Sequence, residues 1–378
     1  MALEIEKASG CMLYSADGKE YIDLIAGVSV SNTGHNNPYV INAIKDQLDR
    51  HMHLMVYGEY IQKPQVNLAR FLCTLLSPAL NSVFYTNSGS EAVEGAIKLA
   101  KRFTGRHEII NFNNAYHGST LGALSVTGNE SLKRSFRPLM PSVKQINFNC
   151  FESLDEISRD TACVIVEPVQ AEAGVITPEK GFLSQLRKRC TDKGALLVFD
   201  EIQTGFGRTG SLFAMDRYNV FPDIVLFAKG FGGGLPLGAF VSSREIMSSL
   251  CDNPALGHIT TFGGHPVCCA AGLASLEYIV KNKIPSNAVH NGQLFMKLLN
   301  HPLIKSVRGV GLLIAVELEN ASFVKRVISG SLEKGLITDW FLFNERCIRI
   351  SPPLIISREE TIKACGILIE SLDAISRH

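Results

Sequence analysis

The chain has 378 residues, of which 46% are hydrophobic and 19% are charged, and its formal net charge is +1. This balance leaves little room for long disordered tracts, and the near-zero charge without a Lys/Arg-rich run argues against general nucleic-acid binding. No apolar stretch approaches the ~18 residues of a membrane span, and the first residues mix charges where a signal peptide has an apolar core.

The N-terminal part alternates apolar and polar residues on either side of Asp17-Gly18, as a β-hairpin does. From about Pro38 the pattern changes to helices alternating with short apolar strands, and apolar residues from Val93 to Phe103 recur at helical spacing. Candidate strands follow in the stretches HEIINF, ACVIVEPV, ALLVFDE and DIVLFAK. Continuous apolar strands that alternate with helices predict an α/β fold, with a mainly parallel sheet covered by helices on both faces.

After about Ala270 the pattern changes again. The helical segment AAGLASLEYIVKN leads to VRGVGLLIAVEL, then to a second helical stretch, to CIRISPPLII and to a closing helix. This order predicts a smaller α+β domain. We therefore expect a large domain over residues 38–270, and a small domain that combines residues 1–37 with residues 271–378.

The stretch Gly205–Gly210, GFGRTG, fits the G-x-G-x-x-G pattern of a dinucleotide-binding loop. Such a loop needs its first glycine directly at the end of a strand and its last glycine inside an opening helix. Here Glu201–Thr204 separate Asp200, the last residue of the candidate strand, from the first glycine, and no clear helix start follows. We interpret these glycines as loop formers, so that an NAD-dependent dehydrogenase is kept only as an alternative of a different class.

Two neighbouring candidate strands end in charged residues. Asp200 ends one of them, and Lys229 ends the next, directly before a glycine-rich segment. Since open α/β sheets bind ligands at their carboxyl edge, both side chains are expected at a ligand site. Taken singly, Asp200 could cap a helix or bind a metal, and Lys229 could be an exposed end residue. A lysine beside glycines that admit close backbone approach is also a candidate Schiff-base former.

A third signal is the helix start in TNSGSEAVEGAIKLA. Ser88 and Glu91 fit a capping box, which is an ordinary way to begin a helix. The same helix end can bind a phosphate through the N–H groups of Gly89 and Ser90, the helix dipole and the two hydroxyls. A Walker loop is excluded, because no Gly-Lys-Ser/Thr is present. A phosphate site with a strand-end Asp and a strand-end Lys suits pyridoxal phosphate.

The chain resembles the class III aminotransferases of the ornithine/acetylornithine type, which have the fold-type-I architecture of pyridoxal phosphate-dependent transferases. The resemblance covers nearly the whole chain and rests on ordered motifs: NSGSEAVE, YHGSTLGALSVTG, EPVQAEAG, FDEIQTGFGRTG, LFAKGFGGG and TTFGGHP. It implies that Lys229 carries the cofactor as a Schiff base and then moves a proton between substrate and cofactor. It also implies that Asp200 pairs with the protonated pyridine nitrogen.

Further cofactor contacts follow from the same resemblance. The residues concerned are Ser88, Gly89, Ser90, Tyr116, His117, Glu167, Gln203 and Thr261. Gln203 is expected to hydrogen-bond the phenolic oxygen, and Tyr116 to stack on the ring. Thr261 is expected to reach the phosphate from the partner subunit, so that the resemblance implies a homodimer with active sites at the subunit interface.

The expected substrate residues include departures from the family. Glu172 resembles the family's gate, an acid that pairs with a carboxylate-binding arginine when the site is empty, and that arginine is Arg349. Ser119 stands where acetylornithine, ornithine and 4-aminobutyrate members usually have a second carboxylate-binding arginine. Val28 stands where ornithine-specific members have a tyrosine, and Ala171 where glycine is common. The few residues before LEIEKASG also suggest that a segment covering the active site is missing or trimmed.

The sequence therefore predicts a cytosolic, homodimeric aminotransferase that moves a terminal amine of a diamine or ω-amino acid onto 2-oxoglutarate by a ping-pong mechanism. A diaminononanoate-type synthase and an aminomutase remain alternatives within the family. A catalytically silent homologue is disfavoured because Lys229, Asp200 and Gln203 are all present. No metal is expected: the ten cysteines form no C-x-x-C pair, and reduced cysteines suit the cytosol.

Overall fold

The computed structural model describes residues 3–252 and 254–376. The strands are β1 (Ile5–Ser9), β2 (Met12–Ser15), β3 (Glu20–Asp23), β4 (Ser82–Thr86), β5 (Glu108–Phe112), β6 (Val143–Ile146), β7 (Thr161–Val166), β8 (Leu196–Asp200), β9 (Ile224–Phe227), β10 (Gly238–Ser242), β11 (Ile304–Val310), β12 (Leu313–Leu318), β13 (Leu336–Ile337), β14 (Trp340–Phe341) and β15 (Asn344–Ile350). The helices are α1 (Ala26–Ser29), α2 (Pro38–Leu48), α3 (Lys63–Leu75), α4 (Gly89–Thr104), α5 (Leu121–Ser125), α6 (Glu130–Lys133), α7 (Phe182–Lys193), α8 (Ala214–Tyr218), α9 (Arg244–Ser248), α10 (Pro266–Lys281), α11 (Ile284–Leu298), α12 (Ala321–Glu333) and α13 (Arg358–Ser376).

The largest sheet has seven strands in the order β4-β10-β9-β8-β7-β5-β6. Its strands are parallel except for β10, which is antiparallel to both of its neighbours. The sequence correctly predicted β5, β7, β8 and β9. Both faces of this sheet are buried: along β7, Val164 and Val166 join one hydrophobic cluster, while Cys163 and Ile165 join another. This burial explains why its strands are continuously apolar.

Two smaller sheets contain the N-terminal and C-terminal strands. The predicted hairpin forms β2 and β3, and β13 lies parallel to β3 with Leu336 opposite Ile22. The second sheet has the order β11-β12-β15-β14. The pairing of β13 with β3 brings the two ends of the chain together, which supports a shared small domain. The proposed boundaries at residues 37/38 and 270/271 stay a prediction.

The glycine-rich stretch GFGRTG is a loop and not the start of a helix, since α8 begins only at Ala214. Its arginine, Arg208, is completely buried. The guanidinium donates to the carbonyl oxygens of Leu312 (3.0 Å) and Pro352 (2.6 Å) and to Oδ1 of Asn32 (2.6 Å). The loop therefore ties distant segments together around Arg208, and it lacks the strand–turn–helix geometry of a dinucleotide-binding loop.

Within residues 3–252 and 254–376, no helix has both the length and the apolar character that a bilayer crossing requires. In the same ranges, the His, Cys, Asp and Glu side chains form no group of three or more that could hold a metal ion. The ten cysteines are all unpaired.

Candidate active site

A cavity of about 380 Å³ lies at the carboxyl edge of the large sheet. Asp200 is the last residue of β8, Lys229 follows β9 by two positions, and Glu167 follows β7 directly. The three strands are neighbours and parallel, so their ends converge on one place. Every cofactor-binding residue predicted from the sequence lines this cavity except Thr261, which is exposed elsewhere on the surface.

Lys229 and Gln203 both line the cavity and contact each other. Its Nζ donates a hydrogen bond of 2.7 Å to Oε1 of Gln203. Desolvation in this deep site lowers the pKa of Lys229, which increases the fraction of the amine that is unprotonated and nucleophilic. Its backbone has φ 48°, a left-handed conformation that costs energy for a residue other than glycine. Nε2 of Gln203 is buried without a protein partner, so this amide retains a donor for another group.

Asp200 is fixed by two hydrogen bonds at the bottom of the cavity. Its Oδ1 accepts from the N–H of Ile202 (3.0 Å), and its Oδ2 lies 2.6 Å from Nδ1 of His117. Burial by itself lowers the pKa of His117, but the hydrogen bond and charge of Asp200, with the charge of Glu167, outweigh it and leave the pKa raised. The pair therefore combines an anionic acceptor with an imidazole that readily takes up a proton.

The N-terminus of α4 forms one wall of the cavity. Oγ of Ser88 accepts from the N–H of Glu91 at 3.2 Å, which is half of the predicted capping box. The reciprocal bond is displaced by one residue, because the Glu91 carboxylate accepts from the N–H of Asn87 (2.7 Å) and not from that of Ser88. The N–H groups of Gly89 and Ser90 precede the helical hydrogen-bond ladder and are available to an anion.

Glu167 orients the aromatic wall of the cavity. Its carboxylate accepts from the backbone N–H of Tyr116 (2.9 Å) and from that of Ala171 (3.2 Å). Burial raises the pKa of Glu167 to about 7. The Tyr116 ring lies 6.3 Å from the ring of Phe343, and its hydroxyl lies 3.2 Å from Oγ of Ser119.

A second cavity, of about 720 Å³, adjoins the first, since Lys229 and Tyr116 line both. Its polar centre is the ion pair that the sequence predicted. Nη1 and Nη2 of Arg349 each lie 2.9 Å from a carboxylate oxygen of Glu172. Desolvation opposes ionisation of Glu172, but the hydrogen bonds and charge of Arg349 hold the pKa of that carboxyl below its ordinary value. This bidentate geometry is the one by which arginine binds carboxylates.

Val28 and Ser119 have different places at this second cavity. Val28 lines it from a turn, α1, in which Ala26 through Ser29 all have positive φ angles. Such a conformation is rare for a β-branched residue, and strain of this kind concentrates at functional sites. Ser119 lies outside the lining of both cavities and contacts two residues that line the first: its Oγ lies 3.2 Å from the Tyr116 hydroxyl, and its N–H donates to Oγ of Ser90 at 3.2 Å.

Three further residues line the second cavity and were not predicted from the sequence: Asp339, Trp340 and Leu342. Oδ1 of Asp339 accepts a 2.8 Å hydrogen bond from Nε of Arg349, and the N–H of Leu342 donates to Glu172 (3.0 Å). The stretch TDWFLFN that contains them matches no motif, and the contacts arise only when β14 and β15 pair.

These residues fit pyridoxal phosphate on structural grounds. Lys229 offers an amine for its aldehyde, and Asp200 offers an anion for its ring nitrogen. The N-terminus of α4 offers free N–H groups for its phosphate. The unpaired Nε2 of Gln203 offers a donor for its phenolic oxygen.

A family model described as "Aminotransferase class-III" matches residues 1–372. Among curated relatives, the acetylornithine aminotransferase of Clostridium acetobutylicum is 40% identical, over 97% of this chain and 95% of the relative. That of Methanopyrus kandleri is also 40% identical, over 97% of this chain and 93% of the relative.

Solved structures agree in fold. An ornithine aminotransferase from Toxoplasma gondii superposes with a TM-score of 0.94 at 31% identity, and the match covers 100% of this chain and 92% of that one. A transaminase from the marine bacterium Virgibacillus has a TM-score of 0.94 at 28% identity, with 100% and 94% of the two chains covered.

Proposed function

Because this chain belongs to the class III aminotransferase family, we propose that it moves the terminal amine of an ω-amino acid or diamine onto 2-oxoglutarate by a ping-pong mechanism. The coarser predictions from the sequence are confirmed: the protein is a fold-type-I, pyridoxal phosphate-dependent transaminase. The observation that supports the finer proposal is the adjacency of two cavities. Lys229 lines both, beside Asp200 in one and Arg349 in the other.

When bound, pyridoxal phosphate supplies an aldehyde that takes up the amino group and a ring that accepts electrons from the substrate carbon. We assign the aldehyde to Nζ of Lys229, whose lowered pKa favours the neutral amine. The same nitrogen, when unprotonated, would remove a proton from the substrate carbon and deliver it to the cofactor. In the structure, Oε1 of Gln203 accepts a hydrogen bond of 2.7 Å from Nζ and so positions the amine at the cavity.

Asp200 is assigned to the pyridine nitrogen. Its negative charge favours a proton on that nitrogen, because opposite charges in contact stabilise the ionised pair. His117 holds Oδ2 of Asp200 from the side at 2.6 Å and prevents the carboxylate from rotating away. Tyr116, oriented by Glu167 through its backbone, is placed to cover one face of the ring.

Arg349 and Glu172 are assigned to the substrate carboxylate. In the structure Glu172 occupies the Nη1 and Nη2 edge of Arg349 and neutralises its charge. A donor without a carboxylate therefore binds beside a neutral ion pair and not beside a free cation. The α-carboxylate of 2-oxoglutarate can replace Glu172 with the same bidentate geometry. One site can thus serve a carboxylate-free amine end and a 2-oxo acid in successive half-reactions.

For the donor, the named relatives favour acetylornithine, whereas Ser119 favours a donor whose far end carries no carboxylate. Ser119 provides a hydroxyl where a guanidinium would otherwise bind that distal carboxylate. We therefore propose that aliphatic diamines, or amines with a neutral tail, rival acetylornithine as donors.

We also propose a homodimer in a reducing, cytoplasmic compartment. Ile61 is 91% exposed and Tyr60 57% exposed, and Leu256 and Phe262 beside Thr261 are exposed as well. Apolar side chains of this size on a surface are typical of an interface. A partner docked there would bring its Thr261 towards the phosphate site, and the unpaired cysteines fit the compartment.

The test is a donor panel with the purified, cofactor-loaded enzyme. Acetylornithine, ornithine, 4-aminobutyrate and a diamine of similar length are each offered with 2-oxoglutarate or with pyruvate, and the amino acid formed is measured. We expect glutamate to form from at least one terminal amine, and kcat/KM for 2-oxoglutarate to exceed that for pyruvate. Equal or better use of pyruvate would contradict 2-oxoglutarate as the preferred acceptor. Because both acids carry an α-carboxylate, the role of Arg349 is tested by Arg349→Ala, which should raise the KM for 2-oxoglutarate with every donor.

A further inference from the structure

Arg349 is held by two carboxylates, of which only Glu172 belongs to a motif. The second is Asp339, whose Oδ1 accepts from Nε of Arg349 at 2.8 Å. Glu172 binds the opposite edge of the guanidinium through Nη1 and Nη2, both at 2.9 Å. The two acids therefore contact separate edges of the same cation.

Asp339 is fixed by the backbone that carries Arg349. The N–H of Arg349 donates to the carbonyl oxygen of Asp339 at 2.8 Å. The hydroxyl of Thr338 donates to the carbonyl oxygen of Arg349, at 2.5 Å. The guanidinium also lies over the ring of Phe341, 4.6 Å from its centre. The hairpin that contains Asp339 thus contacts the backbone of Arg349, its Nε and one face of its guanidinium.

Glu172 is attached differently. It belongs to the loop after β7, far from Arg349 in the sequence, and its carboxylate has a further donor in the N–H of Leu342 at 3.0 Å. If a substrate carboxylate replaces it, Arg349 loses both Glu172 contacts for the time of the exchange, and its Nη1 and Nη2 edge keeps only the hydrogen bond from Nη2 to the carbonyl oxygen of Trp340 at 3.2 Å. An arginine side chain has many rotamers, and it would leave the productive one unless another contact held it.

We infer that Asp339 is a positioning residue: it keeps the guanidinium of Arg349 aimed into the substrate cavity while Glu172 is exchanged for a substrate carboxylate. This inference rests on the proposed role of Arg349 as the seat of that carboxylate. Arg349 is only 4% exposed, so the acceptor oxygen of Asp339 also keeps Nε from being left buried without a partner when Glu172 moves away. Preorganisation of this kind strengthens carboxylate binding and has no role in binding an amine end.

The experiment measures the binding of glutarate to the cofactor-loaded enzyme by calorimetry. Glutarate has the carboxylates of 2-oxoglutarate but no oxo group, so binding is observed without turnover. Asp339→Ala removes the acceptor of the Nε hydrogen bond, and we expect glutarate to bind about tenfold more weakly. Asp339→Asn keeps an acceptor oxygen at the same place and is expected to stay within about threefold of the unmodified enzyme.

Glu317→Ala is the matched control. Glu317 pairs with Arg308 in the same sheet, its side chain is 23% exposed against 27% for Asp339, and it does not line the substrate cavity. Its removal should leave glutarate affinity within about twofold. In Asp339→Ala, the KM for 2-oxoglutarate should rise in parallel with the glutarate Kd, and by a larger factor than the KM for a diamine.

Two results would overturn the inference: unchanged glutarate affinity in Asp339→Ala, or an Asp339→Asn variant as weak as the alanine variant. If Asp339→Ala does not fold, Asp339→Ser, whose hydroxyl is too short to reach Nε, replaces it with the same expectation. Arg349→Ala separates this inference from the proposed function. Weak binding in Arg349→Ala with normal binding in Asp339→Ala refutes the positioning role alone, and normal binding in Arg349→Ala refutes the carboxylate seat itself.

Discussion

The cofactor cavity and the substrate cavity adjoin at Lys229 but are built in different ways. The first draws on the ends of the neighbouring strands β7, β8 and β9 and on the start of α4, which follows the edge strand β4 of the same sheet. The second draws on the N-terminal turn at Val28, the loop at Glu172, α12 and the β14–β15 hairpin. In the proposed function, the chemistry is thus placed at the edge of one sheet, while substrate recognition is assembled from segments far apart in the chain.

This contrast has a functional consequence. If Lys229 and Asp200 have the proposed roles, changes in the cofactor cavity should affect every donor and acceptor alike, because each half-reaction uses both residues. Changes in the substrate cavity should instead alter the choice among substrates. Loop and hairpin positions can vary without disturbing the sheet, which suits a fold that serves several amino donors.

The largest effect is expected for Lys229→Ala. Removal of a covalent catalyst leaves no group to hold the aldehyde or to move the proton, so turnover should fall by more than about 10³-fold with every donor. Lys334→Ala is the control, since Lys334 is a surface lysine that pairs with Glu370 at 3.2 Å. The steady-state rates of both variants are measured with two unrelated donors. A Lys229→Ala enzyme that keeps a tenth of the activity of the unmodified enzyme would contradict the assignment.

Asp200→Asn should produce the next largest effect. It preserves the shape of the side chain but removes the charge expected to keep the ring nitrogen protonated, so single-turnover rates should fall by about 10²-fold or more. Cofactor affinity should change little, because the N-terminus of α4 is untouched.

The same variant has a readout that needs no turnover. Without the Asp200 carboxylate, burial dominates and the pKa of His117 should fall below that of the unmodified protein, as NMR titration can show. Unchanged single-turnover rates, or an unchanged pKa of His117, would mean that the Asp200 carboxylate does not have the role assigned to it.

The same contrast explains how far the sequence alone could lead. Apolar strands with charged ends identified β8 and β9 and with them Asp200 and Lys229, because alternation of helix and strand is a local signal. In the large sheet, β4, β6 and β10 were missed. The edge strands β4 and β6 are partly polar and partly exposed, so they lack the continuous apolar run of the central strands, and β10 follows β9 without an intervening α-helix. The substrate cavity needed tertiary contacts: Glu172 and Arg349 were matched by family motif, but Asp339 carries no local signal.

Substitution of Ser119 is expected to have a smaller effect, confined to the relative kcat/KM values of different donors. If a guanidinium is missing there, a donor with a distal carboxylate loses a charge-assisted bond worth roughly 1.5–3 kcal/mol, or about ten- to a hundredfold in kcat/KM. A diamine of similar length should then rival acetylornithine on the unmodified enzyme. Ser119→Arg should raise kcat/KM for acetylornithine about tenfold, while Ser248→Arg, which adds the same side chain at an exposed site, should not.

The decisive control is the unmodified enzyme. If acetylornithine exceeds the diamine by more than about tenfold in kcat/KM, another basic residue binds its distal carboxylate and this interpretation of Ser119 is wrong.

The smallest expected effect concerns Glu201, the acidic residue next to Asp200 in the sequence. Glu201 follows Asp200 but points away from the cavity, where its carboxylate accepts from the N–H groups of Ala214 (2.6 Å) and Met215 (2.7 Å). Burial raises the pKa of Glu201 from its ordinary value of 4.5 to about 7. The folded protein therefore binds this proton more tightly than the unfolded chain does. The resulting stability is full below pH 4.5 and is lost as the pH rises through about 7.

Glu201→Gln cannot ionise and isolates this contribution. Between pH 5 and pH 8, the free energy of unfolding of the unmodified protein should fall relative to the variant by on the order of 1–3 kcal/mol. Urea unfolding of both proteins at several pH values measures the difference, and parallel pH profiles would rule out a raised pKa for Glu201. Single-turnover rates in the variant should match those of the unmodified enzyme, in contrast to Asp200→Asn.

The most direct measurement locates the covalent attachment. Borohydride reduction of the cofactor-loaded enzyme fixes pyridoxal phosphate on the lysine that carries it, and peptide mass spectrometry then identifies that residue. We expect the modification on Lys229, in the peptide that contains LFAKGFGGG, and on no other lysine. Attachment to a different lysine, or a cofactor that reduction leaves free, would contradict the assignment of the cavity at the carboxyl edge of the sheet.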